Sequence, residues 1–105
     1  MSKITTHILD IALGRPAADV EIILYHEDKV IARGHTNADG RITDWAGVVE
    51  PGTYHLRFET KPYFEKRSVQ TLYPHVDIYL EVTTDPHYHI PLLLSPWGFS
   101  TYRGS

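Results

Sequence analysis

Four places in this 105-residue chain carry side chains able to move protons or to grip an anion. His7 lies in Thr6-His7-Ile8-Leu9-Asp10, ahead of Gly14-Arg15-Pro16. Arg41 follows directly on the turn residues Asn37-Ala38-Asp39-Gly40. His87 and His89 stand two apart in a stretch that reads as a strand, so both imidazoles project from one face. Tyr102-Arg103-Gly104-Ser105 adds a phenol, a guanidinium and a hydroxyl. Imidazole titrates near working pH and suits general acid–base chemistry. A guanidinium stays charged and offers a planar fork to carbonyl or anionic oxygens.

Each of these also has a plainer reading. A lone His7 fits the surface of an edge strand, and Arg41 fits a solvated charge at a hairpin exit. The His87/His89 pair can be read as metal ligands, as a general base with its neighbour, or as one histidine in solvent and one hydrogen-bonded. A zinc site needs a third protein ligand. His7, His55, His75 or a carboxylate could supply one, at no recognisable spacing. The absence of cysteine removes disulfides, a thiolate nucleophile and sulfur-ligated zinc. Any chemistry falls to the seven histidines, the carboxylates, the arginines and the hydroxyls.

The elements that must position these groups are mostly strands. Val20, Ile22 and Leu24 fall on one face of Val20–Tyr25, and Val30–Thr36 is a second extended segment. Tyr54–Glu59 and Val76–Val82 alternate apolar and polar, with Val76, Ile78, Leu80 and Val82 facing inward. This period of two marks half-buried antiparallel strands. Asn37-Ala38-Asp39-Gly40, Pro51-Gly52 and Asp85-Pro86 supply turns. Leu92-Leu93-Leu94 reads as core strand, and Pro91 within it implies an edge or an irregularity close to His89. Trp45, Trp97 and Phe99 read as packing residues at loops, with Trp97 and Phe99 also available to a partner subunit. One segment departs from the pattern: Lys61–Arg67, with Thr60 as N-cap and Pro62 in the first turn, predicts a helix of about two turns.

One domain over residues 1–105 is the expectation from length. With 42% hydrophobic and 22% charged residues, the chain has the composition of a soluble globular protein. A net charge of -3 argues against non-specific nucleic-acid binding. No apolar run is long enough to span a membrane, and Met1–Thr6 does not lead into a signal-peptide stretch. A cytoplasmic location follows as the expectation. Many short strands and one short helix point to an all-β sandwich of two sheets.

In this order and at these separations the motifs resemble the transthyretin-like 5-hydroxyisourate hydrolases. The residues concerned are Thr6–Asp10 with Gly14–Ala17, Thr36–Arg41, Pro51–Tyr54, Tyr63-Phe64, Tyr73–Val76, His87–Pro96 and Ser100–Ser105. The resemblance implies a prealbumin-like sandwich of two four-stranded sheets. It also implies a homotetramer, with sites in the channel between dimers. It places catalytic roles on His7, Arg41 and His89, and substrate contacts on His7, Arg41, Tyr102 and Ser105, with no metal and no cofactor. His87 is expected to stand outside this wall.

The implied reaction is hydrolysis of 5-hydroxyisourate to 2-oxo-4-hydroxy-4-carboxy-5-ureidoimidazoline in urate degradation. Arg41 would hold the substrate's oxygens, and His7 and His89 would share water activation and protonation of the leaving nitrogen, either being the base. Tyr102 and Ser105 would orient substrate or water, Ser105 through its hydroxyl or a terminal carboxylate. The competing reading is a non-catalytic, transthyretin-like carrier of small planar ligands. Transthyretin itself has a lysine at the position of His7, a glutamate at Arg41 and threonines at His89 and Tyr102.

Overall fold

Alternation of apolar and polar residues decides the two layers. The computed structural model describes residues 1–42 and 44–105. One sheet takes β3 (Glu21–His26), β4 (Lys29–His35), β6 (Gly52–Phe58) and β7 (Val76–Val82), antiparallel throughout in the order β4-β3-β6-β7. Ile22, Leu24, Leu56, Phe58, Val76 and Val82 are buried from this sheet, as their spacing predicts. Ile78 and Leu80 lie on the same face but are only partly buried, packed at the margin of the core.

The other sheet runs β2 (Arg15–Pro16), β1 (Lys3–Asp10), β8 (His87–Ser95), β9 (Gly98–Thr101), with the two-residue β5 (Arg41–Ile42) added on β1. The sandwich is thus two four-stranded paths plus this short extra strand. β1 and β8 pair in parallel from Lys3↔His87 to Asp10↔Leu94. Ile4 and Ile8 of β1, with Tyr88, Ile90, Leu92 and Leu94 of β8, are buried in the core. Thr6 is buried with them, and its hydroxyl donates to the Ile90 carbonyl at 2.6 Å. The alternate residues therefore point away from the core, so Lys3, Thr5 and His7 share the outer face with His87, His89 and Pro91. The chemistry-bearing residues collect there.

The helix is α1 (Thr60–Glu65), one residue earlier and shorter than its sequence predicts. Glu59, not Thr60, occupies the N-cap, and no side chain caps the helix. Thr60 is fully buried against the core, and its hydroxyl has no hydrogen-bond partner among the described residues. Trp45 packs on the core and donates Nε1–H to the Ile4 carbonyl. Trp97, expected as a packing residue, is instead 65% exposed, and Phe99 stands on β9 with its edge against Tyr73. Among the described residues no helix is long and apolar enough to cross a membrane.

Asp10 ties the helix to the sheet. It is fully buried, and one carboxylate oxygen accepts from the N–H groups of Ala12 and Leu13, both at 3.0 Å. The other accepts from Tyr63 Oη at 2.7 Å and Arg67 Nη1 at 3.0 Å. Burial and the Asp10 carboxylate push the Tyr63 phenol up to about 12. Removing one member of such a network strands the others without partners, at about 2–4 kcal/mol. Asp10→Ala is therefore expected to lower the denaturant midpoint sharply, and an unchanged midpoint in urea would refute this account of the helix anchor.

Candidate active site

The parallel register of β1 and β8 sets Thr5 beside His89 and His7 beside Pro91, while the antiparallel β1–β5 ladder sets His7 beside Arg41. Three stretches far apart in sequence thus meet on one outward face. The His7 and His89 ring centroids are 6.4 Å apart, and those of His87 and His89 are 6.1 Å apart.

Arg41 is delivered by the turn before it. Asn37 Oδ1 accepts from the N–H groups of Asp39 and Arg41, at 2.9 and 3.0 Å. Gly40 has φ +72°, and its carbonyl accepts from the Ile8 N–H at 2.8 Å. A Cβ on Gly40 would collide with the Ile8 carbonyl oxygen, so glycine is needed there twice over.

The stretch after β9 closes over β8. The β8–β9 ladder stops at Leu92↔Thr101, where Pro91 has no N–H to offer. From that point the outward-turned carbonyls of β8 are taken one by one. Thr101 Oγ1 donates to Pro91 O at 2.7 Å, the Gly104 N–H to His89 O at 2.7 Å, and Arg103 Nη2 to His87 O at 3.1 Å. The irregularity that Pro91 predicts is present, although β8 is an interior strand and not an edge. Gly104 also lies close to the Cδ2 side of the His89 ring: a Cβ there would stand 2.6 Å from His89 Cδ2 and 3.2 Å from Pro91 Cγ.

Burial and a neighbouring positive charge bias two imidazoles towards the neutral form. Burial, and then the Arg41 guanidinium, hold His7 below the usual histidine value against an opposing pull from Asp39. Burial, then Arg41, His7 and His87, hold His89 low as well. Neutral imidazole beside a fixed guanidinium can take a proton from water while the guanidinium receives negative charge on an oxygen.

A cleft of about 430 Å³ opens at this place, lined by Lys3, Thr5, Arg41, His87, His89 and Ser105. Of the residues expected from sequence, Arg41, His89 and Ser105 line it, and His7 adjoins it through Arg41 and His89. Tyr102 does not: it is 56% exposed and outside the lining. His87, expected to stand apart, lines the cleft, because the same outward face carries both histidines. Thr5 is a residue that sequence reasoning missed. Its hydroxyl lies 2.7 Å from His87 Nε2 and 2.8 Å from His89 Nδ1. The spacing Thr5–His7 mirrors His87–His89, but only the parallel register brings the two pairs together. Among the described residues no three His, Asp or Glu side chains are grouped as a metal site would require.

A larger cleft, about 560 Å³, lies on the other sheet beside Tyr25, Tyr54, His55 and Tyr79. Its rings are spent on one another: Tyr25 stacks on His55, His55 on Tyr79, and Tyr54 on His26. No guanidinium lines it. The smaller cleft is the one that gathers a guanidinium with imidazoles.

Comparison with known proteins identifies relatives over the length of the chain. A sequence model described as the HIUase/Transthyretin family matches residues 4–104. The probable 5-hydroxyisourate hydrolase of Schizosaccharomyces pombe is 43% identical over 112 residues, covering 97% of this chain and 90% of that protein. The structure of Klebsiella pneumoniae 5-hydroxyisourate hydrolase superposes with a TM-score of 0.95 at 38% identity, over 100% of both chains. Sea bream transthyretin in complex with thyroxine superposes at 0.89 with 26% identity, over 97% of this chain and 94% of that one.

Proposed function

The chain belongs to the HIUase/Transthyretin family, and on that footing we propose that it hydrolyses 5-hydroxyisourate in urate degradation through Arg41, His89 and His7. The observation that carries this reading is the meeting of a guanidinium and two depressed imidazoles at one cleft. The substrate is a flat polar heterocycle whose six-membered ring contains a cyclic amide. Arg41 takes the amide oxygen in its fork. His89, which lines the cleft, removes a proton from water as that water attacks the carbonyl carbon. Negative charge then gathers on the oxygen held by Arg41, and the carbon–nitrogen bond breaks. His89 passes the proton it took on to the leaving nitrogen, which becomes the ureido end of the product, while His7, across the cleft edge, hydrogen-bonds that nitrogen as it departs. Ser105 orients substrate or water from the cleft wall.

No metal or cofactor takes part in this scheme. The same reading includes a cytoplasmic homotetramer, with a site at each interface between dimers. The exposure of Trp97, Phe99 and Tyr102 supports burial of this side of the molecule by a second protomer, and Tyr102 would reach substrate only in that assembly.

The ultraviolet absorbance of freshly generated 5-hydroxyisourate tests the reading directly. Decay well above the spontaneous rate, undiminished by prolonged EDTA treatment, is the expected result, with a sedimentation coefficient of a tetramer. Decay at the spontaneous rate would favour a carrier of planar ligands. Loss of activity in EDTA, restored by zinc, would overturn the metal-free scheme.

A further inference from the structure

We propose that Thr5 and His87 act as a positioning pair that holds His89 with its proton on Nδ1, leaving the Nε2 lone pair to act in the cleft. The proposal rests on the hydrolase reading above. Thr5 is 6% exposed, and its Oγ1 lies within hydrogen-bond distance of both His87 Nε2 and His89 Nδ1. A hydroxyl has one proton to give. It therefore donates to one imidazole and accepts from the other, and the protonation sites of the two rings are locked together.

Two arrangements are open. In the first, Thr5 donates to His89 Nδ1 and accepts from His87 Nε2–H, so the His89 proton sits on Nε2. In the second, Thr5 donates to His87 Nε2 and accepts from His89 Nδ1–H, so His89 Nε2 carries a lone pair. The packing of the ring decides which nitrogen can work. Its Nδ1 edge is held by Thr5 and its Cδ2 edge by Gly104, so the Cε1–Nε2 edge is the one left to meet a substrate or water.

Only the second arrangement puts a basic nitrogen on that edge. Arg41, on the same cleft, favours it too: a lone pair turned towards a guanidinium is attracted, whereas an N–H dipole is repelled. His87 is exposed, so in this arrangement its Nδ1–H is satisfied by solvent. When Nε2 takes the proton of the attacking water, the Nδ1–H···Oγ1 bond becomes charge-assisted and strengthens. The proton then passes from Nε2 to the leaving nitrogen, and Nδ1 keeps its own throughout.

Nitrogen-15 spectra of the full chain test this independently of turnover. In the wild type, His89 is expected to show a protonated, pyrrole-type Nδ1 and a pyridine-type Nε2. Thr5→Val keeps the shape of the side chain but removes the hydroxyl. It should mix the two tautomers and lower kcat about tenfold or more, with KM changed little. Thr5→Ser should recover most of that loss. His87→Leu, at an exposed position, frees the Thr5 proton to turn to His89 Nδ1. It should shift the His89 proton to Nε2 and lower kcat by about tenfold. A wild-type His89 protonated at Nε2 overturns the proposal. So does a His89 tautomer and kcat unmoved in His87→Leu, which also serves if Thr5→Val does not fold. Should the wild type fail to hydrolyse 5-hydroxyisourate, the functional reading falls, while the nitrogen spectra still judge the tautomer.

Discussion

Replacing His89 by alanine is expected to lower kcat for 5-hydroxyisourate by about 100-fold or more, about 2.7 kcal/mol of transition-state stabilisation. The magnitude follows from where the ring stands. It lines the cleft, its proton affinity is held down by burial and by Arg41, and two neighbours fix its orientation. A general base so placed contributes about 10²–10⁴-fold. The effect should appear in kcat and kcat/KM together, because the ring acts on the water and only weakly on the bound substrate. Stability should change little, since His89 points away from the core and the Gly104 N–H bonds to its backbone carbonyl, which alanine retains. Absorbance decay measured on His89→Ala at the wild-type sedimentation coefficient checks this. Near-normal turnover would remove His89 from the mechanism.

The same residues show what a sequence can and cannot disclose here. Ile22, Leu24, Leu56 and Val76 announce their strands because each has one face in the core and one in water. Those strands are joined by short links or lie side by side in one antiparallel sheet. The site depends instead on β1 lying parallel to β8, a pairing between segments about eighty residues apart that no local turn enforces. His7, Arg41 and His89 are legible as chemistry, yet nothing local says that Thr5 bridges His87 and His89. Tyr102 illustrates the opposite failure. Its residue type and motif suggest substrate contact, but within one protomer it is exposed and lies outside the cleft. Thr60 was legible as a cap by type alone, and burial overrode it. Side-chain type names the chemistry; register and assembly decide who takes part.

Arg41→Ala should be as damaging as loss of His89 and should carry a second signature in pH. Removing one preorganised donor to a developing oxyanion costs about 10²–10³ in kcat, and the Asn37–Gly40 turn holds Arg41 in place for that purpose. Burial and then the guanidinium hold His7 and His89 below the ordinary histidine value of about 6.5. The sign follows directly. A base works only while unprotonated, so a depressed value lets the wild type keep its activity as pH falls through the ordinary histidine range. Without Arg41 both imidazoles bind protons more readily, and the acid-side loss of kcat/KM moves to higher pH. Arg41→Gln should move it the same way, since it too lacks the charge. Arg41→Lys separates the two roles: it returns the charge, and with it the position of the acid limb, but not the planar fork, so turnover stays low. A pH–rate profile for the three variants decides the point. An acid limb that stays put in Arg41→Ala would show that burial alone depresses the histidines, and a lysine variant with full turnover would show that the cleft needs only a positive charge.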